Sequence, residues 1–198
     1  MKVIGLTGGI ASGKSTVSRQ FGDAGWRIVD ADKVAHQLTA ADGKAIPQIT
    51  GAFGNDVLLP DGSLNRRALG QLVFARPRQL ATLNEIMQPL IRQSINQNFA
   101  DAQREGRSHV ILDAPTLFEQ GYQGDCDQIV VVSVDPTTQL QRLIARDSLS
   151  QEQAQQRIAS QMSLAKKREL ANWVIDNSGD RQFTRQQAAW LIDHLNMV

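Results

Sequence analysis

The chain has 198 residues and a formal net charge of +1 at pH 7, which supports one well-buried core and excludes two large independent domains. Because basic and acidic residues nearly cancel, the overall field indicates neither nucleic acid nor an anionic membrane surface as partner. A small anionic ligand that is bound by a local basic cluster stays open as a partner class. No apolar run approaches the roughly 20 residues that cross a bilayer.

The first predicted element is an apolar strand, Val3 to Leu6, which runs into a glycine-rich loop. The loop matches G-x-x-x-x-G-K-[ST], a pattern typical of phosphate-binding loops between a strand and a helix. Its N–H groups can surround a polyphosphate, Lys14 can reach the β- and γ-phosphates, and the Ser15 hydroxyl can bind Mg²⁺. The predicted nucleotide-binding residues are Gly8, Gly9, Ile10, Ala11, Ser12, Gly13, Lys14, Ser15 and Thr16.

A second strand, Trp26 to Val29, is predicted to end at Asp30-Ala31-Asp32, where another helix begins. We expect Asp32 beyond the end of this strand, near the loop of the first strand. A carboxylate there can accept the proton of an acceptor hydroxyl or orient its oxygen for attack on a γ-phosphate. The alternative is that Asp32 caps the following helix, because Asp is favoured at that position.

From residue 42 to residue 107 the pattern changes to helical segments that are interrupted by prolines and turns. No core strand fits there, so we predict a helical insertion over about 42–107. Pro89 is expected to kink or end a long helix. Arg66 and Arg67 are candidates for binding phosphates of an acceptor.

Two further buried strands are predicted at His109 to Asp113 and at Gln128 to Val134. Their continuous apolar, β-branched runs favour a parallel sheet covered on both faces. Asp113 ends the first of these strands and is a candidate for the Mg²⁺ shell, directly or through a water molecule. The alternative for Asp113 is a turn aspartate without a metal role.

Cys126 is the only cysteine, which excludes an internal disulfide. Together with the absence of a signal-peptide pattern, it predicts a cytoplasmic protein. The histidines, His36, His109 and His194, are far apart in sequence, so no metal-ligand spacing includes Cys126. We interpret Cys126 as an ordinary loop residue.

The last third of the chain alternates helix and strand patterns, with a helix start at Asp135-Pro136, a capping box at Ser150, a strand at 172–176 and a closing helix at 188–195. Arg142 and Arg146 share one helix face and are predicted either to fold over a triphosphate or to face solvent. The basic run at 166–168 is expected to be exposed, and the alternative is that it closes on the phosphates. The alternation predicts an α/β three-layer sandwich with a mostly parallel sheet.

These motifs together resemble the dephospho-coenzyme A kinase family over nearly the full length. The segments that carry the resemblance are Leu6 to Thr16, Asp30 to Asp32, Gly62 to Leu69, Pro115 to Glu119, Arg142 to Asp147 and Val174 to Asn177. The resemblance implies ATP-dependent phosphorylation of the ribose 3′-hydroxyl of dephospho-CoA, the last step of coenzyme A biosynthesis. It also implies ATP and Mg²⁺ as cofactors, no nucleic-acid or membrane partner, and a monomer or small homo-oligomer.

The family also implies a single P-loop NTPase domain with a core at about 1–41, 108–140 and 170–198, a helical acceptor-binding insertion at 42–107 and a lid at 141–169. The functional residues that it implies are Asp32, Lys14, Arg142 and Arg146 for catalysis; Asn177 with the phosphate loop for nucleotide; Asp32, His36, Arg66, Arg67, Thr116 and Leu117 for the acceptor; and Ser15 and Asp113 for the metal.

The chain departs from the family pattern at three places. Gln88-Pro89 stands where the family often has His-Pro, Thr116 follows Pro115 where it often has Leu, and Asn172 follows Ala171 where it tends to have Asp. None of these alters the phosphate loop or the reaction type. The alternatives are a kinase for another small hydroxyl acceptor and a nucleotide-dependent switch; the Asn-Lys-x-Asp pattern of a GTPase is absent.

Overall fold

A computed structural model describes residues 1–74 and 76–197. These residues form two compact units, one made of Met1–Val29 with the part from Ala102 onward, the other of Asp30–Asp101. The strands are β1 Lys2–Gly8, β2 Arg27–Asp30, β3 His109–Asp113, β4 Gln128–Ser133 and β5 Trp173–Asp176. The helices are α1 Lys14–Asp23, α2 Ala31–Leu38, α3 Ile46–Phe53, α4 Arg66–Phe74, α5 Pro77–Arg104, α6 Pro136–Asp147, α7 Gln151–Ala159, α8 Leu164–Glu169 and α9 Arg181–Met197.

The strands of the described chain form one parallel sheet in the order β2-β3-β1-β4-β5. In the register of β1 with β3, Lys2 lies opposite His109 and Leu6 opposite Asp113. Both neighbours of β1 run parallel to it, so the segments that follow β1, β3 and β4 leave the sheet at the same edge. Ligands bind at this edge in open α/β sheets.

The central strands are buried at nearly every successive residue rather than at every second one. This pattern arises when helices cover both faces of a parallel sheet, and it confirms the predicted α/β fold. The core cluster contains Ile4 and Leu6 of β1, Phe21 of α1, Val130 of β4 and Leu191 of α9. Burial of these apolar side chains is the main favourable contribution to the free energy of folding of the sheet and helices that carry the phosphate loop.

Helix starts follow the predicted chemistry closely. The carboxylate of Asp135 accepts a hydrogen bond of 2.9 Å from the backbone N–H of Thr138 at the start of α6. At α7 the hydroxyl of Ser150 accepts from the N–H of Gln153, and the Gln153 side chain accepts from the N–H of Ser150. The predicted capping box is therefore confirmed.

The edge strand β5 has its own polar partner. The side-chain amide of Gln187 in α9 accepts a 2.9 Å bond from the N–H of Asp176 and donates a 2.8 Å bond to the carbonyl of Asp176. One amide therefore satisfies both backbone groups of the same strand residue.

The second unit is helical and contains one short antiparallel bridge, Leu58 with Leu64, among its described residues. Helix α5 continues through Pro89, so of the two alternatives for Pro89, a kink or a helix end, the helix end is wrong. Helix α9 starts at Arg181, well before the predicted start at Ala188.

In the part of the chain that the structure describes, no helix is both long and apolar enough to span a membrane.

Gly5 in β1 leaves no room for a side chain. A Cβ atom there would lie 2.7 Å from Cδ1 of Leu117 and 2.9 Å from Sγ of Cys126. Leu117 is fully buried, so it cannot move aside without disturbing the core.

We expect Gly5→Ala to lower the free energy of unfolding by about 1–3 kcal/mol, the usual cost of an overpacked core. The matched control is Gly51→Ala in α3, where a Cβ meets nothing within 4 Å and where Ala should stabilise the helix by about 0.5–1 kcal/mol. Urea denaturation of both variants measures the difference. Equal stability of the two variants would contradict the tight contact at Gly5.

Candidate active site

The loop between β1 and α1 has the backbone shape of an anion-binding nest. Ala11 has φ 59° and Gly13 has φ 86°, both in the left-handed region. Alternation of such residues with right-handed ones turns successive N–H groups toward a common concavity. Glycine is required at position 13 for a second reason, because a Cβ there would collide with the side-chain amide of Asn177.

Three carbonyl groups of this loop are held from outside by side chains. A trans peptide unit is planar, with its C=O and N–H pointing in opposite directions. A donor on the carbonyl therefore directs the following N–H to the other side, where a phosphate can be bound. The pairs are Lys167 Nζ to Gly8 O at 3.3 Å, Gln139 Nε2 to Ile10 O at 2.8 Å, and Asn177 Nδ2 to Ser12 O at 2.7 Å.

Lys14 and Asp113 form an ion pair at the C-terminal edge of the sheet. Asp113 is buried at the end of β3, and Lys14 lies in the first turn of α1. Ser15, the next residue of α1, is exposed. The three side chains predicted to handle phosphate charge and metal therefore belong to neighbouring elements of one sheet edge.

A cavity of about 520 Å³ lies over the loop. Besides loop residues 9–15, its lining includes Pro115, Arg142, Arg146 and Gln161. The two arginines predicted to meet a triphosphate thus both face the phosphate loop. The cavity has the size of a small-molecule site.

The two arginines are held by different partners. The guanidinium of Arg142 donates a 2.8 Å hydrogen bond to the backbone carbonyl of Asn177. Arg146 binds Asp147 at 2.8 Å, and the same carboxylate binds Arg157 at 2.9 Å. The hydrogen bond that Arg146 donates to Asp147 raises the pKa of Arg146 above its ordinary value.

Asn177 is buried and braces the loop through its side chain. Its amide N–H₂ binds Ser12, and its Oδ1 accepts a 2.8 Å bond from the hydroxyl of Thr184 in α9. The predicted nucleotide residue therefore contacts the phosphate loop. No local pattern in the sequence indicated this contact, because Asn177 follows the strand that is last along the chain.

Lys167 contradicts its predicted exposure. Its side chain is fully buried, with 0% exposed surface, whereas Lys166 and Arg168 beside it are exposed. Sequence reasoning also missed Gln139 and Gln161, of which the latter accepts a 2.9 Å bond from the N–H of Ile10. When a glutamine or lysine lies in a polar helical run, the sequence does not show whether its side chain is buried against the phosphate loop or exposed to solvent.

In the second unit, Asp30 is the N-cap of α2, and its carboxylate accepts a 3.0 Å bond from the N–H of Lys33. The alternative in which Asp32 caps this helix is therefore wrong. Asp32 lies in the first turn and is exposed, and His36 is exposed one turn later. Both predicted acceptor residues of α2 therefore point away from its buried side.

Arg66, at the start of α4, donates a 2.5 Å hydrogen bond to the hydroxyl of Thr39. Burial lowers the pKa of Arg66, and the negative charge of Asp32 opposes this change. The structure thus brings Asp32 and Arg66 into electrostatic contact. Arg67, the next residue, is exposed.

The remaining candidates follow β3. Thr116 is half-buried, whereas the side chain of Leu117 is fully buried against Gly5. Burial, followed by the charges of Asp125 and Asp127, raises the pKa of the Cys126 thiol to about 12. A thiol with this pKa is a poor nucleophile at neutral pH, which agrees with an ordinary loop role for Cys126.

A sequence profile of the dephospho-CoA kinase family matches residues 2–182. The chain belongs to the dephospho-CoA kinase family. The dephospho-CoA kinase of Symbiobacterium thermophilum is 46% identical over 192 residues, 96% of this chain and 80% of that protein. A crystal structure of a Thermus thermophilus protein matches with TM-score 0.84 and 30% identity, covering 98% of this chain and 97% of that one. The dephospho-CoA kinase from Campylobacter jejuni matches with TM-score 0.76 and 26% identity over the same shares.

We expect Asn177→Ala to weaken nucleotide binding and to lower the free energy of unfolding by about 1–3 kcal/mol, because it leaves buried polar groups without partners. The matched variant is Thr184→Val, which removes the hydroxyl from the other end of the Asn177 amide and keeps the bond to Ser12. Thermal unfolding and titration with a fluorescent nucleotide measure the two effects. If both variants bind nucleotide equally well, the contact with Ser12 does not shape the loop.

Proposed function

We propose that this chain is an ATP-dependent kinase that phosphorylates the ribose 3′-hydroxyl of dephospho-CoA and so completes coenzyme A. The observation that carries the proposal is the family match over residues 2–182, in a chain whose phosphate loop faces a cavity lined by Arg142 and Arg146. Transfer of a γ-phosphoryl group requires little covalent chemistry from the protein, so catalysis rests on positioning and on charge stabilisation.

The nucleotide end of the reaction is assigned to the first unit. The inward N–H groups of the loop bind phosphate oxygens, and Lys14 leaves Asp113 to contact the β- and γ-phosphates. Arg142 and Arg146 neutralise the negative charge that spreads over the transferred group in the transition state. Arg142 is pre-positioned for this by its bond to the carbonyl of Asn177, which reduces the ordering that binding must impose.

Mg²⁺ is the proposed metal, and Ser15 and Asp113 are the residues that would hold it. Their hydroxyl and carboxylate oxygens are the hard donors that Mg²⁺ prefers. Within residues 1–74 and 76–197, no group of three or more His, Cys, Asp or Glu side chains is arranged to hold a metal by itself. A metal at this position would be bound largely through nucleotide phosphates, whose charge it would neutralise.

The acceptor end is assigned to the second unit and to the segment after β3. Asp32 accepts the proton of the 3′-hydroxyl, a role that its exposed position in α2 allows. Arg66 interacts electrostatically with Asp32 and can bind a phosphate of the acceptor. His36, Arg67, Thr116 and Leu117 stay predicted acceptor residues.

The other sequence predictions keep that status. They are the division into a core, an insertion at 42–107 and a lid at 141–169, the cytoplasmic location, the monomeric or small oligomeric state and the absence of a nucleic-acid partner. A closing lid would exclude water, which competes with the acceptor hydroxyl for the γ-phosphoryl group.

The direct test is steady-state phosphorylation with Mg²⁺ and ATP, comparing dephospho-CoA with adenosine, AMP and no acceptor. Coenzyme A, whose 3′-hydroxyl is already phosphorylated, is the blocked control. We expect selective turnover of dephospho-CoA to the 3′-phosphorylated product. Equal turnover of all hydroxyl acceptors would favour a less selective small-molecule kinase, and ATP hydrolysis that no acceptor changes would favour a nucleotide-dependent switch.

We expect Asp32→Asn to lower kcat by about 10²–10⁴-fold, the usual contribution of a general base, and to leave ATP binding nearly intact. The matched control is Asp30→Asn, which makes the same chemical change two residues earlier and retains the helix cap, since Asn caps as well as Asp. Unchanged kcat in Asp32→Asn, or an equal loss in the control, would contradict the assignment of the base to Asp32.

A further inference from the structure

Lys167 is the one lysine among the described residues that is buried. Its ammonium group has three oxygen partners: the carbonyl of Pro115 at 2.7 Å, the carbonyl of Gly8 at 3.3 Å and a carboxylate oxygen of Glu119 at 3.0 Å. Lysine is almost never fully buried unless it is paired. The three donors of the ammonium group are therefore matched by three acceptors.

The position does not need a charge for packing. Removing an ammonium group from water is costly, and an apolar side chain of similar length fills the same space without that cost. What only the ammonium supplies is a set of hydrogen bonds to two backbone carbonyls on different segments. Gly8 ends β1 at the phosphate loop, and Pro115 follows β3 two residues after Asp113.

We propose that Lys167 is a positioning residue for the nucleotide phosphates. Its ammonium group binds the carbonyls of Gly8 and Pro115 at the same time. It therefore fixes the distance between the phosphate loop, which contains Lys14, and the segment that follows Asp113. Its bond to Gly8 also sets the direction of the next N–H in the loop. The proposal rests on the proposed kinase function, and it identifies Lys167 as a residue that shapes the phosphate site of that kinase.

Neighbouring contacts tie the same segment to the loop. Glu119, the charged partner of Lys167, also accepts a 3.0 Å bond from the N–H of Met162. Gln161 accepts from the N–H of Ile10, and the hydroxyl of Thr7 donates to the carbonyl of Pro115 at 3.1 Å. The chain from residue 161 to residue 167 therefore holds the phosphate loop at two places.

The test compares Lys167→Met, which keeps the length and removes the charge, with Lys167→Arg, which keeps a charge and several N–H donors. Lys166→Met is the matched control, because Lys166 is exposed and pairs with Glu169 on the surface. Since Lys167→Met leaves Glu119 without its partner, a double variant, Lys167→Met with Glu119→Met, removes both charges. Loss of both partners of a buried pair is far less destabilising than loss of one.

Binding of Mg²⁺-ADP, followed by competition with a fluorescent nucleotide, is the first readout, and thermal unfolding is the second. We expect Lys167→Met and the double variant to bind the nucleotide about 10- to 100-fold more weakly, the scale of a loss in positioning. The KM for ATP should rise in parallel while the KM for the acceptor stays unchanged. Lys167→Arg should recover most of the affinity, and Lys166→Met should behave as the native chain.

A double variant that is folded and binds Mg²⁺-ADP with native affinity would overturn the proposal. Unfolding of both Lys167→Met and the double variant would also overturn it, because Lys167 would then be a purely structural residue. Because ADP binding needs no acceptor, this readout does not depend on whether dephospho-CoA is the substrate. Failure of the acceptor assay in the native chain and failure of the Lys167 proposal are thus separate results.

Discussion

Each peptide unit of the phosphate loop is a rigid plane, so the partner of its carbonyl also determines where its N–H points. In this chain the carbonyls of Gly8, Ile10 and Ser12 are bound by side chains from α8, α6 and the end of β5. A loop of small residues has little stiffness of its own. Its anion-binding shape therefore depends on elements that are far away in sequence and that exist only in the folded unit.

The charges at the site follow the same arrangement. Lys14 is paired with Asp113, and Arg146 with Asp147, so two of the cations that face the cavity are compensated within the protein, whereas Arg142 is bound to a backbone carbonyl. A polyphosphate offers these cations negatively charged oxygens in place of the carboxylates. Binding then exchanges one set of ion pairs for another, which costs less than it would to desolvate free charges.

Local patterns explain what could be predicted from the sequence. The phosphate loop, the buried strands and the capping box at Ser150 are all encoded within a few neighbouring residues, and all are present. The family resemblance, confirmed by the profile match, depends on such short motifs. The alternative in which Asp32 caps α2 was open because Asp is favoured at that position, and the residue that does cap the helix, Asp30, is of the same type.

What could not be predicted depends on tertiary contacts. Lys167 and Gly8 are separated by 159 residues, and Asn177 and Ser12 by 165. A lysine in a run of charged residues is usually exposed, and only the folded sheet creates the site that buries this one. The early start of α9 was missed because its first turns expose polar residues and Phe183, which hides the apolar period that marks a helix.

The side-chain amide of Gln187 protects part of β5, the edge strand at the other end of the sheet from β2. Edge strands present unpaired backbone groups to which a strand of another molecule can add, and this is a common start of aggregation. At Asp176 these groups are already taken by Gln187. A foreign strand that pairs at Asp176 would have to displace both bonds, so Gln187 of α9 protects this position of the sheet edge.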